Sequence, residues 1–314
     1  MTHRSASNRS AADALAHVTG EISRLLEQGV MPWRAPWNQT IALAATPGLP
    51  LRSTGQPYRG ANVVLLWAAQ IARGYAKRTW ITFRQALAVG AHVRKGEKAC
   101  PVIYYGQAAA QNDAEHNATD VAADIAKTYR FLKVFHVFNA DQIEGLPEDF
   151  AIEPLAPAPR APLAFEAWAD RAGARVRIGG TSAFYAPATD TIQIPPIEAF
   201  ADPEQWNATL SHEAVHFTGH RSRLDRLQDY ATDRKARARE ELIAEIGSAV
   251  LGAMVGFRPD HLESHAAYIS SWLELVRDEP RAFFTAAAKA QAAVDWLITR
   301  AGLPTDLDAG DRAA

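Results

Sequence analysis

The segment TLSHEAVHFTGH, at residues 209–220, is the feature that most constrains how this chain can fold. It places His212 and His216 four residues apart, with Glu213 directly after the first histidine. On an α-helix, positions i and i+4 lie one above the other, so the two imidazoles would share one face about one turn apart. That geometry suits a tetrahedral metal such as zinc. The segment therefore predicts a helix that carries two metal ligands.

A catalytic zinc site needs a third protein ligand and one open position. In the metzincin peptidases, the pattern continues as His-x-x-Gly-x-x-His. Gly219 fits this continuation, but Ser222 stands where the third histidine belongs, and His220 lies two residues too early. The third ligand is therefore expected from another part of the chain.

The segment REELIAEIG is predicted to form a second helix, and it offers three carboxylates: Glu240, Glu241 and Glu245. Glu241 and Glu245 are four residues apart on one helix face, so one can bind the metal while the other orients a ligand histidine. The stretch EELIAE resembles the Asn-Glu-x-x-x-Asp segment of gluzincin peptidases. This resemblance implies Glu241 as the third ligand and Glu245 as the orienting acid, with Glu240 as the alternative ligand.

The predicted centre is thus one divalent metal, zinc with manganese as the alternative, held by His212, His216 and Glu241. Glu213 points beside the imidazole pair, which is the general-base position, and it is the candidate catalytic residue. A peptidase also needs a donor for the developing oxyanion, for which the sequence offers Tyr230 and Tyr268 without choosing between them.

Charge is distributed very unevenly along the chain. Residues 31–105 contain ten Lys and Arg residues against one acid, Glu97, which is a net charge of +9. Since the whole chain has a net charge of −2, the remainder carries −11. Such asymmetry predicts that the first part attracts a polyanion.

Nine aromatic residues are interleaved with these bases in residues 31–105. A cationic surface with interleaved rings is how proteins hold single-stranded nucleic acid, because cations neutralise phosphates and rings stack on bases. Trp67 lies in the apolar run VVLLWAA and is predicted to be a core residue instead. The predicted DNA contacts are Arg34, Tyr58, Arg59, Lys77, Arg78, Arg84, Arg94, Lys95 and Lys98.

The element pattern predicts an α+β protein with two domains. We expect a tail at residues 1–9, a DNA-binding α+β domain at 10–150, and a proline-rich linker at 151–164. A mostly helical zincin-like domain of the gluzincin type, with a small antiparallel sheet, is expected at 165–305. A second tail follows at 306–314.

Three finer expectations concern strands. HVRKGEKACPVIYY is predicted to form a hairpin that turns at Gly96, and residues 107–127 are predicted to be an insertion loop. The segment TDTIQIP, beginning at Thr189, is predicted to be the edge strand that lines the metal cleft.

Cys100 is the single cysteine, so neither a disulfide framework nor a cysteine zinc site is expected. The N-terminus lacks the apolar core of a signal peptide, and no apolar run approaches the roughly 18 residues of a membrane span. These features predict a cytoplasmic protein without a membrane partner.

Several segments resemble one family. MPWRAPWN, STGQPYRGANVVLLW, GYAKRTWITFRQALAVGAHVRKGEKACPVIYY and FHVFNADQIEGLP are similar to the N-terminal domain of ArdC-type antirestriction proteins. SHEAVHFTGHRSRLDR and EELIAEIGSAVL resemble the zincin-like metallopeptidase domain of the same family. The N-terminal segments are also similar to those of TraC-type plasmid primases, but no primase motif is visible.

The resemblance implies that the N-terminal domain binds single-stranded DNA, and that the protein protects incoming mobile-element DNA, such as a conjugative plasmid, from host restriction enzymes. Two other hypotheses remain. The chain could be a DNA-associated zinc metallopeptidase that cleaves DNA-bound proteins, such as a restriction enzyme. It could instead be a non-catalytic recognition module that is stabilised by its metal.

Overall fold

The computed structural model describes residues 16, 18–33, 48–109, 128–147, 150, 165–255, 257 and 265–302. The predicted tails and the predicted linker at 151–164 lie outside these residues. The described chain confirms an α+β protein whose second half is mostly helical.

The first half is built on a four-stranded sheet with the strand order β1-β2-β5-β4. Strand β1 is parallel to β2, whereas the other pairs are antiparallel. The elements are α1 (18–27), β1 (Leu51–Arg52), α2 (Ala61–Arg73), β2 (Thr79–Thr82), α3 (Phe83–Ala88), β3 (His92–Val93), β4 (Cys100–Ala109), β5 (Thr128–Asn139) and β6 (Ile143–Glu144).

Local sequence signals explain where the helices of this half begin and end. The Thr82 side chain accepts from the Gln85 amide, and the Gln85 side chain accepts from the Thr82 amide, which forms a capping box at the start of α3. Helix α2 ends at Gly74, whose positive φ of 67° suits glycine. The long ladder between β4 and β5 then fixes the sheet.

The predicted hairpin at Gly96 is wrong. Strand β3 pairs with β6, and β4 pairs with β5, so the two halves of the expected hairpin belong to different sheets. The Arg94 amide donates to the carbonyl of Gln142, and the Gln142 side chain donates to the Lys98 carbonyl. These bonds hold the intervening turn against the end of β5 instead. The predicted loop at 107–127 is also too long, because β4 continues to Ala109; residues 110–127 lie outside the described residues.

The second half combines a three-stranded sheet with five helices among its described residues. Helix α5 begins after an N-cap, with the Asp202 side chain accepting from the Gln205 amide and Pro203 in the first turn. The elements are α4 (Phe165–Arg171), β7 (Arg175–Ile178), β8 (Phe184–Ala186), β9 (Thr191–Ile194), α5 (Pro203–Thr218), α6 (Arg234–Val255), α7 (His265–Asp278) and α8 (Ala282–Ala301).

The sheet of this half differs from the sequence-based expectation in two respects. It is mixed rather than antiparallel, because β7 runs parallel to β9 while β8 runs antiparallel to it. Its order is β7-β9-β8, so TIQI is the central strand and β8 is an edge. The central position explains the pattern in β9, where Ile192 and Ile194 are both fully buried.

The two halves share one hydrophobic core. Trp33 meets Trp272 edge-on with ring centroids 5.5 Å apart. The Thr19 hydroxyl donates to the Pro280 carbonyl at 3.0 Å. At the start of α2, Arg59 forms an ion pair with Asp295 on α8. The described parts of the two halves therefore pack against each other. Among the described residues, no helix is both long and apolar enough to cross a membrane.

Candidate metal centre

His212, His216 and Glu241 converge at the contact between α5 and α6. The Nε2 atom of His212 lies 3.1 Å from Nε2 of His216 and 3.5 Å from Oε2 of Glu241. His216 Nε2 is 3.7 Å from that same carboxylate oxygen. All three side chains are buried. The structure thus brings together the two histidines and the glutamate that the gluzincin resemblance implied.

These distances fit one metal ion. Bonds of about 2.0–2.1 Å in a tetrahedron place ligand atoms roughly 3.3 Å apart, close to the separations observed here. Two imidazole nitrogens and a carboxylate oxygen are a donor set that would hold a divalent metal, and all three residues line the cleft. The described residues contain this cluster as a candidate metal site.

Close helix packing makes the convergence possible. Gly247 of α6 faces Val215 of α5, and a methyl group at Gly247 would approach the Val215 side chain to 2.8 Å. Ser211, one turn before Val215 on α5, lies next to Ser248 of α6, and their hydroxyls are hydrogen-bonded at 2.6 Å. Small residues therefore let α6 approach α5 closely enough for Glu241 to reach the two imidazoles.

Glu240 contacts His216 through the Nδ1 atom of its ring. Its Oε1 atom lies 3.3 Å from Nδ1 of His216, so it is not aimed at the three converging donors. Arg226 donates to both oxygens of Glu240, at 2.9 and 3.1 Å, and also to the carbonyl of Val215. This network orients the His216 ring so that Nε2 faces Glu241. Sequence spacing does not predict the contact of Arg226 with Glu240. The basic stretch that follows α5 is the only sequence feature that points to Arg226.

Glu245, the acid expected to orient a histidine, lies on the other side of the centre. Its Oε1 atom is 4.0 Å from Nδ1 of His212. Both acids are almost fully buried. His212 and His216 therefore each have a carboxylate near their Nδ1 atom, and Glu240 makes the shorter contact.

The electrostatic field of the centre favours a cation. Burial alone would lower the pKa of His216, but the carboxylates of Glu241 and Glu240 outweigh it and raise that pKa well above its usual value. Burial alone would raise the pKa of Glu241, but the imidazoles of His216 and His212 hold it far below its ordinary range. A divalent cation can take the place of the proton that these carboxylates would otherwise stabilise on His216.

An open cleft of about 190 Å³ leads to the three converging donors. Glu213 lines it, although its side chain is largely buried. Both candidate oxyanion donors, Tyr230 and Tyr268, line it as well. Burial and the nearby charge of Glu241 raise the pKa of each phenol, so both remain protonated donors. The Tyr230 hydroxyl donates to Glu241 Oε1 at 2.7 Å.

The edge strand β8 forms the opposite wall of the cleft through Phe184 and Tyr185. A clamp fixes this strand against α5. Arg223 forms an ion pair with Asp190 and donates to the Tyr185 hydroxyl and the Phe217 carbonyl. The Arg223 hydrogen bond lowers the pKa of Asp190 to about 2. Local sequence patterns do not predict these contacts, because Arg223 is distant along the chain from Tyr185 and Asp190.

The predicted DNA contacts differ in how far their side chains are exposed to solvent. Arg34 lies outside the described residues. Tyr58 and Arg78 are only 8% exposed, so these two predicted contacts are corrected: Tyr58 is part of the core, and Arg78 packs against Gly48. Lys77 is half-buried, and Arg59 is exposed but paired with Asp295. The exposed remainder consists of Arg84, Arg94, Lys95 and Lys98.

Among the side chains that the structure describes in the first half, the large exposed aromatic ones are Phe83, Tyr104 and Phe135. Phe83 and Tyr104 belong to the nine aromatic residues of the basic window but are not among the predicted DNA contacts, and Phe135 lies outside that window. The available signal for Tyr104 was its place in a strand, where successive side chains point to opposite faces.

Two histidines and a glutamate on adjacent helices, beside an edge strand and a cleft, define a zincin-type metallopeptidase domain. A family model described as a zincin-like metallopeptidase matches residues 163–289. A second model, the N-terminal domain of the anti-restriction factor ArdC, matches residues 12–138.

Comparisons that cover most of the chain agree with these two family matches. A crystal structure of the metal-free antirestriction protein ArdC of a plasmid is 41% identical and has a TM-score of 0.75, covering 91% of this chain and 97% of that one. An Mn(II)-bound structure of that ArdC protein has a TM-score of 0.73 at the same identity and coverage. An uncharacterized protein, y4eC, of Sinorhizobium fredii is 36% identical over 91% of both chains. The chain belongs to the ArdC family of antirestriction proteins.

Longer proteins also contain a related region. A DNA primase TraC of Escherichia coli is 36% identical over 90% of this chain, but the match spans only 19% of the primase. The family comparison confirms the resemblance drawn from the sequence motifs. Together with the Mn(II)-bound relative, the zincin-like domain implies a divalent metal.

Proposed function

We propose that this antirestriction protein binds single-stranded DNA with its first half, holds a divalent metal with His212, His216 and Glu241, and protects incoming mobile-element DNA from host restriction. The observation that carries the proposal is the convergence of the three donors in a chain that also contains a basic window, residues 31–105, with a net charge of +9. The full-length likeness to an antirestriction ArdC protein supports the same combination.

Electrostatics supports the DNA-binding part of the proposal. Four exposed cations of the first half, Arg84, Arg94, Lys95 and Lys98, lie on α3 or within residues 94–98. Arg94 forms an ion pair with Glu97, the single acid of the basic window. The cations therefore greatly outnumber the acids available to neutralise them, and phosphates are the natural counterions.

Binding to a labelled single-stranded oligonucleotide is expected to weaken steeply as salt is added. For single strands, the logarithm of affinity should fall by about 0.7 per neutralised phosphate for each decade of salt. Replacing Lys95 or Lys98 by alanine should reduce that slope by one such increment. The exposed Lys289 on α8 is the matched control, and its replacement by alanine should leave the slope unchanged. Equal binding to a neutral polymer would contradict the proposal.

The donor set favours zinc at the centre. Two imidazoles and one carboxylate match the His₂Glu set of catalytic zinc sites, whereas manganese prefers a shell richer in oxygen. Manganese remains the alternative, since the ArdC relative has an Mn(II)-bound structure. Measuring the affinity of the apoprotein for each metal separately would distinguish them.

Peptide hydrolysis is the second candidate function, and the position of Glu213 favours it. A bound metal would supply Lewis acidity at the open end of the cleft. Glu213 lines that cleft, where its carboxylate can accept a proton from the attacking water. Tyr230 or Tyr268 can donate a hydrogen bond to the developing oxyanion. The edge strand β8 can pair with an extended peptide through its backbone.

Replacing Glu213 by glutamine tests this second candidate. The variant is expected to keep metal and DNA binding, because Glu213 is neither one of the three proposed metal ligands nor part of the basic window at residues 31–105. Cleavage of any protein substrate should fall by about 10²–10⁴-fold, the usual contribution of a general base. Protection of DNA from restriction should be measured in parallel. If the variant protects as well as the wild type, proteolysis is not the protective mechanism.

A further inference from the structure

An exposed pair of aromatic rings lies on the long ladder of the first half. Tyr104 of β4 is 53% exposed, and Phe135 of β5 is 46% exposed. Their ring centroids are 6.3 Å apart, and the ring planes meet at 76°. Neither ring contributes to the hydrophobic core of the described residues. Two neighbouring half-exposed aromatic side chains form a contiguous apolar surface, which is a feature of binding sites.

The register places these rings and a cation on one face of the sheet. Tyr104 is directly opposite Lys133, and Val102 is directly opposite Phe135. Side chains that are opposite one another, or two positions apart on a strand, lie on the same face. Tyr104, Lys133 and Phe135 therefore share a face, and Lys133 is exposed. We call these three residues the β4–β5 platform.

The core explains why the rings emerge at this point. Further along the same face, Val102, Cys100 and Val137 are buried in the core that the two halves share. At the edge of the sheet, Asn62 at the start of α2 makes two hydrogen bonds with the backbone of Ile103. The buried part of the face thus ends next to Tyr104 and Phe135.

We infer that the β4–β5 platform is a stacking surface for unpaired bases of a DNA strand. A ring that stands half out of a sheet can stack on a base, and the neighbouring lysine can attract the adjoining phosphate. In a duplex, both faces of nearly every base are already covered by neighbours, so the platform selects single strands. The inference rests on the proposed binding of single-stranded DNA and assigns it to particular residues.

Phe83 is the competing candidate in the same half. It is 49% exposed on the short helix α3, next to Arg84. However, its ring lies 6.5 Å from Phe138, which packs against the second, smaller core. Phe138 is one residue out of phase with Val137 and so lies on the opposite face of β5. Phe83 therefore cannot join the platform, and it serves as a matched control.

The test compares a single-stranded thymidine oligonucleotide with an abasic strand of equal length and charge. Replacing Tyr104 or Phe135 by alanine should weaken binding of the thymidine strand by roughly 5- to 150-fold, the value of one lost stacking contact. Affinity for the abasic strand and the salt slope should both stay unchanged, because the phosphate contacts remain. Tyr104→Phe should bind like the wild type, since the ring is retained.

Lys133→Ala should lower the salt slope with either strand, and Phe83→Ala should change nothing. Thermal melting of each variant checks the fold, which half-exposed rings should leave intact. Wild-type affinity in both alanine variants, or a loss confined to Phe83→Ala, overturns the inference while the proposed function stands. If the wild type itself binds no single-stranded DNA, the proposed function fails and the inference fails with it.

Discussion

Replacing His212 by alanine is expected to abolish specific metal binding. The site has three protein donors within 3.1–3.7 Å of one another, and loss of one leaves only two on one side of the ion. Weakening an orienting partner of a ligand typically costs about 10–100-fold in metal affinity, and loss of the ligand itself should exceed that range. Calorimetric titration of the apoprotein with Zn²⁺ and with Mn²⁺ measures the effect.

Two further variants serve as references for this metal titration: one should lose part of the metal affinity, and the other should lose none. Glu240→Gln keeps all three donors but alters the contact with His216 Nδ1, so a loss of roughly 10–100-fold is expected. His220→Ala removes the histidine nearest in sequence to the motif, whose Nδ1 contacts the Ser222 hydroxyl instead; its metal affinity should equal the wild-type value. Retained affinity in His212→Ala, or a loss in His220→Ala, would place the metal elsewhere.

The same variant separates the alternative functions. A ligand that binds only the folded state stabilises it by about 2.7 kcal/mol at one hundred times its dissociation constant. Added metal should therefore raise the melting temperature of the wild type but not of His212→Ala. A recognition module that only needs its metal for stability would still protect DNA below the melting temperature of the variant. If protection depends on peptidase activity, His212→Ala should not protect DNA at any temperature.

Spacing predicted the helix of the metal site but could not assign its acids. Glu240, Glu241 and Glu245 lie within about one and a half turns of one helix. Which of them faces the imidazoles depends on how α6 is rotated about its axis, and that rotation is set by packing at Gly247 and Ser248. The gluzincin resemblance supplied Glu241 as the ligand, whereas the contact of Glu240 with His216 required the tertiary structure.

Strand partners were also beyond the reach of local patterns. Alternation identified the segments that form β4, β5 and β9, because alternation reports which faces are buried. It says nothing about which strands are adjacent, so Gly96 was assigned to a hairpin and the parallel pairing of β7 with β9 was missed. The count of charged residues has a similar limit, because it does not distinguish buried from exposed side chains. The buried Arg78 adds to the charge of the basic window like any exposed base.

Replacing Trp272 by alanine is expected to destabilise the fold more than any other substitution considered. Its side chain is 1% exposed, and truncating a buried tryptophan costs about 3–5 kcal/mol in the free energy of unfolding. The ring stacks on Tyr268 with centroids 5.8 Å apart, and it meets Trp33 of the first half. Its indole nitrogen donates to the carbonyl of Ala238 on α6 at 3.0 Å. Urea unfolding measures the loss.

Because these contacts reach both halves and the metal cleft, the expected unfolding of Trp272→Ala is a single transition at lower urea. Metal binding and DNA binding should be lost together along that transition, since one core supports both halves. Trp296→Ala is the matched control: Trp296 is only partly buried on α8, so its loss should cost less. If DNA binding instead survives at urea concentrations where the metal is released, the first half folds independently, and the contact between Trp33 and Trp272 contributes little to its stability.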